Sequence, residues 1–244
     1  MVSIRERQIE GLYIREYLPE KTAKQNRAVL FLHGYPGQQK NYDLAEHLAL
    51  QGFDCLVMHY RGVWKSEGRY SLAAIYEDVE RILKYIESLG FSQDRISLVG
   101  TSLGGFVALE MLARHPELDK LILLAPFIHI EHDAEKLKAG AAFLYSITKP
   151  AIKNYDYESL LKDLKTVEKL YNPLHKLNRI DGKKILIIHG VDDKICPIEG
   201  ARNLKTRFKS PAKLIQLQEE NHFLHLRETV FDYCHLFLKA GRVA

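Results

Sequence analysis

Short apolar runs alternate along the chain with stretches whose apolar residues recur at helical spacing. AVLFLHG (28–34), DCLVMHY (54–60), RISLVG (95–100), DKLILLAPFI (119–128), KKILIIHG (183–190) and AKLIQLQ (212–218) read as strands. YDLAEHLALQG (42–52) reads as a helix stopped by Gly52. SLAAIYEDVERILKYIESLG (71–90) reads as a helix with Ser71 as cap and Gly90 as stop. Further helices are predicted from Leu103 to about His115, near 198–209, and from about Phe223 to Lys239. Strands this apolar suit a parallel sheet covered on both faces. The strand–helix alternation predicts βαβ units and a doubly wound α/β fold.

Two segments depart from that rhythm. RQIEGLYIREYLPE, near the start, alternates apolar and polar residues and predicts antiparallel strands at one edge of the sheet. Between Ile128 and Lys183 the chain is too long for an ordinary connection, and it looks helical with a break near Pro150. The expected organisation is a core of residues 1–130 and 183–244, with a small helical cap at 131–182.

Composition narrows the function classes. Lys and Arg number 35 against 31 Asp and Glu, a net +4, with the signs interspersed. No basic stripe argues for nucleic acid. Cys55, Cys196 and Cys234 are far apart, with no zinc or disulfide spacing. The charged start MVSIRERQIEG has no apolar signal core, and no apolar run is long enough to span a bilayer. The expectation is a soluble, cytoplasmic protein with no metal, no cofactor and no membrane or nucleic-acid partner. Oligomeric state is not legible.

The stretch ISLVGTSLGGFVALEML (96–112) carries the candidate chemistry. Ser102 lies in G-x-S-x-G, where an expected strand meets an expected helix. That is the context of a nucleophile elbow, with small residues needed two positions either side. A serine needs a base, and the base an orienting carboxylate, in the chain order Ser, Asp or Glu, His. HGVDDKICP offers Asp193, with Asp192 as the alternative, and EENHFLHL offers His222, with His225 as the competitor. Both segments follow strands, at the end where open α/β sheets place their sites. The oxyanion donors expected for an elbow are the backbone N–H groups of Leu103 and of Tyr35, the latter in the loop that Gly34 and Gly37 let turn. His33 is expected to shape that loop.

HGYPG, HYRGVWKSEG, GTSLGG, HGVDDKICP and NHF, in this order, resemble the α/β-hydrolase superfamily over nearly the whole chain. HYRGVWKSEG resembles the catalytic domains of acylaminoacyl and prolyl oligopeptidases and the small single-domain esterases related to them. The resemblance implies an α/β-hydrolase fold with Ser102 as nucleophile, His222 as base, Asp193 as orienter, and Tyr35 and Leu103 as oxyanion donors. It also places a cap at 131–182. Arg61 and Ser66 are expected to shape their loop. Asn221 departs from the glycine that many relatives carry before the histidine.

The implied reaction is two-step acyl transfer from a small-molecule ester or acyl substrate, first to Ser102 and then to water. Ester is the first expectation, because the chain has no room for the large extra domain of the oligopeptidases. A small-peptide or acylaminoacyl substrate, or a thioester, is the enzymatic alternative. A binding protein that has lost the chemistry is the non-enzymatic one. For the pocket, Trp64 and Tyr70 either line it or pack under the cap. Phe143 and Tyr145, with Tyr155 and Tyr157, form either its apolar lid or the core of that lid.

Overall fold

A computed structural model describes residues 1–20, 24–35, 40–128, 134–148, 152 and 155–240. One eight-stranded sheet organises them. Its strands are β1 (Ser3–Ile9), β2 (Leu12–Leu18), β3 (Ala28–Leu32), β4 (Asp54–Met58), β5 (Ile96–Thr101), β6 (Leu121–Leu124), β7 (Ile185–Gly190) and β8 (Lys213–Leu217). The order across the sheet is β1-β2-β4-β3-β5-β6-β7-β8. β3 through β8 run parallel, while the β1–β2 hairpin joins the edge at β4 antiparallel, as its alternating pattern predicted.

The apolar runs are continuous because both faces of the sheet are covered. In β3, Leu30 and Leu32 enter one core while Val29 and Phe31 enter the other. The second core is closed by α1 (Tyr42–Leu50) and α7 (Arg227–Lys239), through residues such as Leu44, Leu48, Val230 and Cys234. The first is closed by α2 (Ile75–Ser88) and α3 (Leu103–Arg114). Two helices between β6 and β7, α4 (Ala134–Thr148) and α5 (Tyr157–Tyr171), add Leu137, Ala141, Leu160 and Leu164 to this first core. The expected break at Pro150 lies outside the described residues. The short α6 (Ile198–Leu204) completes that face.

Two helix starts differ from the sequence expectation. Ser71 Oγ accepts the backbone N–H of Ala74 at 3.2 Å, but this closes a turn and α2 begins only at Ile75. α7 begins at Arg227 because the Glu220 carboxylate takes the N–H groups of His225 and Leu226, at 2.6 and 2.9 Å. Those two bonds hold 221–226 as a loop, with Leu224 at φ +50°. His225 therefore sits before the helix, exposed.

Candidate active site

Strand β5 ends at Thr101 and α3 begins at Leu103, so Ser102 alone makes the turn. Its backbone lies at φ 51°, ψ −118°, a strained conformation for any residue with a side chain. Three bonds hold it there. Ser102 N–H donates to Leu124 O at 3.0 Å, and Ser102 O accepts from Gly105 N–H and Phe127 N–H, both at 2.9 Å. The flanking glycines have a steric cause. A Cβ at Gly104 would stand 2.1 Å from Leu32 O, and one at Gly100 would stand 2.5 Å from Gly104 O. The loop after β3 lies against the same turn, since a Cβ at Gly34 would meet Ser102 Cβ at 3.2 Å. That proximity brings the backbone of residues 34 and 35 to the start of α3, where the N–H of Leu103 begins the helix.

The loop after β7 separates the two candidate carboxylates. Asp192 is exposed, whereas Asp193 is buried. Asp193 Oδ1 accepts the N–H groups of Ile195 and Cys196 at 2.9 and 2.8 Å. Its Oδ2 accepts from His222 Nδ1 at 2.8 Å and lies 3.1 Å from His189 Nε2. Burial alone would raise this carboxyl's pKa, but the bonds from His189, His222 and Cys196 N–H outweigh it and hold the group well below the usual carboxylate range. Asp193 is thus a fixed anion. His222, oriented through Nδ1, shares one pocket with Ser102. No hydrogen bond joins Ser102 Oγ to His222 among the described residues; such contacts commonly tighten only when substrate aligns them.

Two neighbours refine the electrostatics. Cys196 lines the pocket beside Ser102, yet burial first and the Asp193 charge second push its thiol up to about 12. It stays neutral and forms a wall, not a second nucleophile. His33 donates from Nδ1 to Gly34 O at 2.7 Å and accepts Tyr60 N–H at Nε2 at 3.3 Å. The neutral ring satisfies both partners, and burial lowers its pKa to about 3. His33 braces the loop, as expected. Arg61 and Ser66 brace theirs: Arg61 forks onto the buried Asp78, and Ser66 Oγ bridges Tyr13 N–H and His59 O.

Ser102 and His222 open onto a cavity of about 540 Å³. Tyr35, Leu103 and Phe143 line it, but Trp64, Tyr70 and Tyr145 are not among its lining residues. Trp64 instead covers His33 and His59, with ring centroids 4.7 Å from each. Tyr70 is buried between Tyr35 and Tyr155, under the helices. Tyr145 packs on Tyr157. Aliphatic residues take their place, including Leu72, Ile128, Leu137 and Leu164. Phe127 and Ile128 were missed; their signal was their place at the carboxyl end of an apolar strand. His189 was missed as a neighbour of Asp193; its Nε2 bonds Cys196 O at 2.7 Å and lies 3.1 Å from Asp193 Oδ2, and its signal was its place at a strand end, four residues before that aspartate. Among the described residues no cluster of His, Cys, Asp and Glu forms a metal site, and no helix is long and apolar enough to cross a membrane.

Comparison with known proteins agrees with this architecture. YisY of Bacillus subtilis (strain 168), an AB hydrolase superfamily protein, is 26% identical over 239 residues, covering 80% of this chain and 85% of its own. The esterase EaEST from Exiguobacterium antarcticum superposes with a TM-score of 0.71 at 20% identity, covering 98% of this chain and all of its own. A monoacylglycerol lipase of Paleococcus ferrophilus superposes with a TM-score of 0.70 at 20% identity, over 93% of this chain and 98% of its own. The profile of the Hydrolase_4 family, described as serine aminopeptidase, S33, matches residues 23–176, more than half of the 244. The chain therefore belongs to the Hydrolase_4 family and is a serine hydrolase of the α/β-hydrolase fold.

Proposed function

We propose that this protein hydrolyses carboxylic esters through Ser102, His222 and Asp193. The observation that carries the proposal is the pairing of the buried Asp193–His222 bond with a strained serine at the mouth of an apolar cavity. His222, held in the Nδ1–H tautomer by Asp193, accepts the Ser102 proton at Nε2 as Oγ attacks the ester carbonyl. The tetrahedral oxyanion is received by the N–H groups of Leu103 and Tyr35, a contribution of about 3–4 kcal/mol per donor. His222 then protonates the departing alkoxide. The acyl-enzyme is cleaved when water, deprotonated by the same imidazole, attacks it and frees Ser102. A location in the cytoplasm goes with this reading as the proposed setting.

The family description names an aminopeptidase, so amide cleavage is the second reading. An aminopeptidase holds the free ammonium of its substrate with a carboxylate. No carboxylate lines the cavity among the described residues. The lining favours a neutral, apolar acyl or alkyl group.

The test is an assay of p-nitrophenyl esters beside aminoacyl and acylaminoacyl p-nitroanilides, on wild type and Ser102→Ala. Serine-dependent ester cleavage with negligible anilide cleavage is expected, whereas the reverse preference would replace the proposal with the peptidase.

A further inference from the structure

Helix α4 presents two stripes to the cavity. Leu137, Ala141 and Leu144 recur at i, i+4, i+7 and pack inward; Leu137 and Ala141 are buried. Beside them, Lys136, Gly140 and Phe143 recur with the same spacing and also line the cavity, at its exposed edge. This outer stripe reads long, absent, long. Gly140 is a notch one side chain wide between two large residues.

A glycine inside a helix is costly, by roughly 0.5–1 kcal/mol relative to alanine. It is usually kept where a neighbouring backbone or side chain comes too close for a Cβ. That reason fails at Gly140, since a Cβ built there meets nothing within 4 Å among the described residues. The contrast with Gly104 and Gly200 is plain: Cβ atoms there would stand 2.1 Å from Leu32 O and 2.5 Å from Ile128 Cδ1. Folding explains those two glycines but not Gly140. Gly140 lines the cavity shared by Ser102 and His222.

We infer that Gly140 is a specificity-determining residue, and that its notch is the passage for an extended aliphatic chain running from Ser102 under α4 to the edge of the cavity. The inference rests on the ester-hydrolase reading and names its substrate class: esters with one unbranched medium-length alkyl chain, not acetates alone. The walls suit such a chain, because Leu72, Ile128, Leu137 and Leu164 offer apolar contact, with Lys136 at the exposed edge. Each buried methylene adds affinity, and excluding two of them costs about tenfold.

The experiment compares p-nitrophenyl acetate, butyrate, octanoate and dodecanoate on wild type, Gly140→Ala and Gly140→Leu. Wild type should prefer octanoate to acetate in kcat/KM. Gly140→Leu should lower the octanoate-to-acetate ratio in kcat/KM by about tenfold or more. Gly140→Ala should melt higher than wild type and keep most of the octanoate activity. The ratio cancels any loss of folded enzyme. An unchanged ratio in Gly140→Leu would overturn the inference, as would a wild type that prefers acetate. A second arm does not depend on turnover: octanoic acid should raise the melting temperature of Ser102→Ala but not that of Ser102→Ala with Gly140→Leu. If no ester is cleaved yet this protection is seen, ester hydrolysis fails and the chain passage stands. If esters are cleaved with no protection and no change of ratio, the passage fails and ester hydrolysis stands.

Discussion

The strand-end cluster and the α4–α5 roof face each other across one cavity, and they are held in opposite ways. At the strand ends the backbone of Ser102 and the carboxylate of Asp193 are tied down. Ser102 is fixed by three backbone bonds, and the Asp193 carboxylate accepts two backbone N–H groups at Oδ1 and His222 Nδ1 at Oδ2. On α4, Leu137 and Ala141 are buried, while Lys136, Gly140 and Phe143 stay exposed. α4 and α5 pack chiefly on one another. The difference teaches that the chemistry is built from constraints no side chain can relax, whereas the shape of the substrate space rests on a few apolar contacts. Changes in the first region should cost turnover or folding; changes in the second should redistribute substrate preference.

The largest break in that comparison is Ser102→Ala. Ester kcat should fall by about 10⁴-fold or more. Stability should stay within about 0.5 kcal/mol, because no core volume is lost. Steady-state kinetics and urea melts on the same preparations check both halves. Activity near wild type would remove the serine from the mechanism.

Next in size is an effect of acid on the brace behind the loop that follows β3. Burial lowers His33 and His59 to about 3, from an ordinary value of about 6.5. Between those two pH values the unfolded chain binds protons that the folded chain refuses. Stability therefore rises with pH across this window, and is lost as pH falls from about 6.5 toward 3. For His33 the loss is on the order of 4 kcal/mol. Asp193 works lower on the scale: its depressed pKa gives stability that is present above the ordinary carboxylate range and fades as pH falls below it. Urea midpoints measured from pH 7 to pH 4 should decline steadily, and His33→Gln should flatten part of that decline. An unaltered slope in the variant would show that the ring is not held neutral.

Gly104→Ala should cost about 2–3 kcal/mol, since its Cβ cannot coexist with Leu32 O at 2.1 Å. Turnover should fall with it, because moving α3 away from β3 displaces Ser102. A variant with unchanged melting would mean that the elbow is softer than its geometry implies.

The same contrast explains what the sequence made legible. The strands, their parallel pairing and the elbow were readable because backbone sterics dictate them: apolar runs need two covered faces, and only glycine fits between β5, α3 and β3. Asp193 and His222 were readable from the chain order of the motif, although the choice over Asp192 needed the burial that three dimensions supply. The cavity walls were harder. Of the aromatic residues expected to line the pocket or to pack in or under the cap, Phe143 lines it, whereas Trp64 covers two histidines, Tyr70 lies under the helices and Tyr145 pairs with Tyr157. Which face of a loosely packed helix meets the cavity depends on how that helix sits, and local periodicity does not fix that. His189 escaped for a related reason: its ring acts through Asp193, a contact set by the curl of the loop after β7.

The smallest expected effect lies at the seam between the two regions. Asp163 on α5 reaches into the core loop, where its Oδ2 accepts Leu72 N–H at 2.6 Å and the Tyr155 hydroxyl at 2.9 Å. Leu72 lines the cavity, so this carboxylate ties the roof to the wall. Asp163→Ala removes two acceptor contacts and should cost about 1–2 kcal/mol. It touches neither Ser102 nor the Asp193–His222 pair, so acetate kcat should hold. KM for octanoate should rise several-fold as Leu72 and the roof lose their common anchor. Asp163→Asn keeps one acceptor oxygen and should recover part of the loss. If acetate kcat fell as far as octanoate kcat, the roof would be coupled to the chemistry itself, and the division between a rigid site and an adjustable roof would not hold.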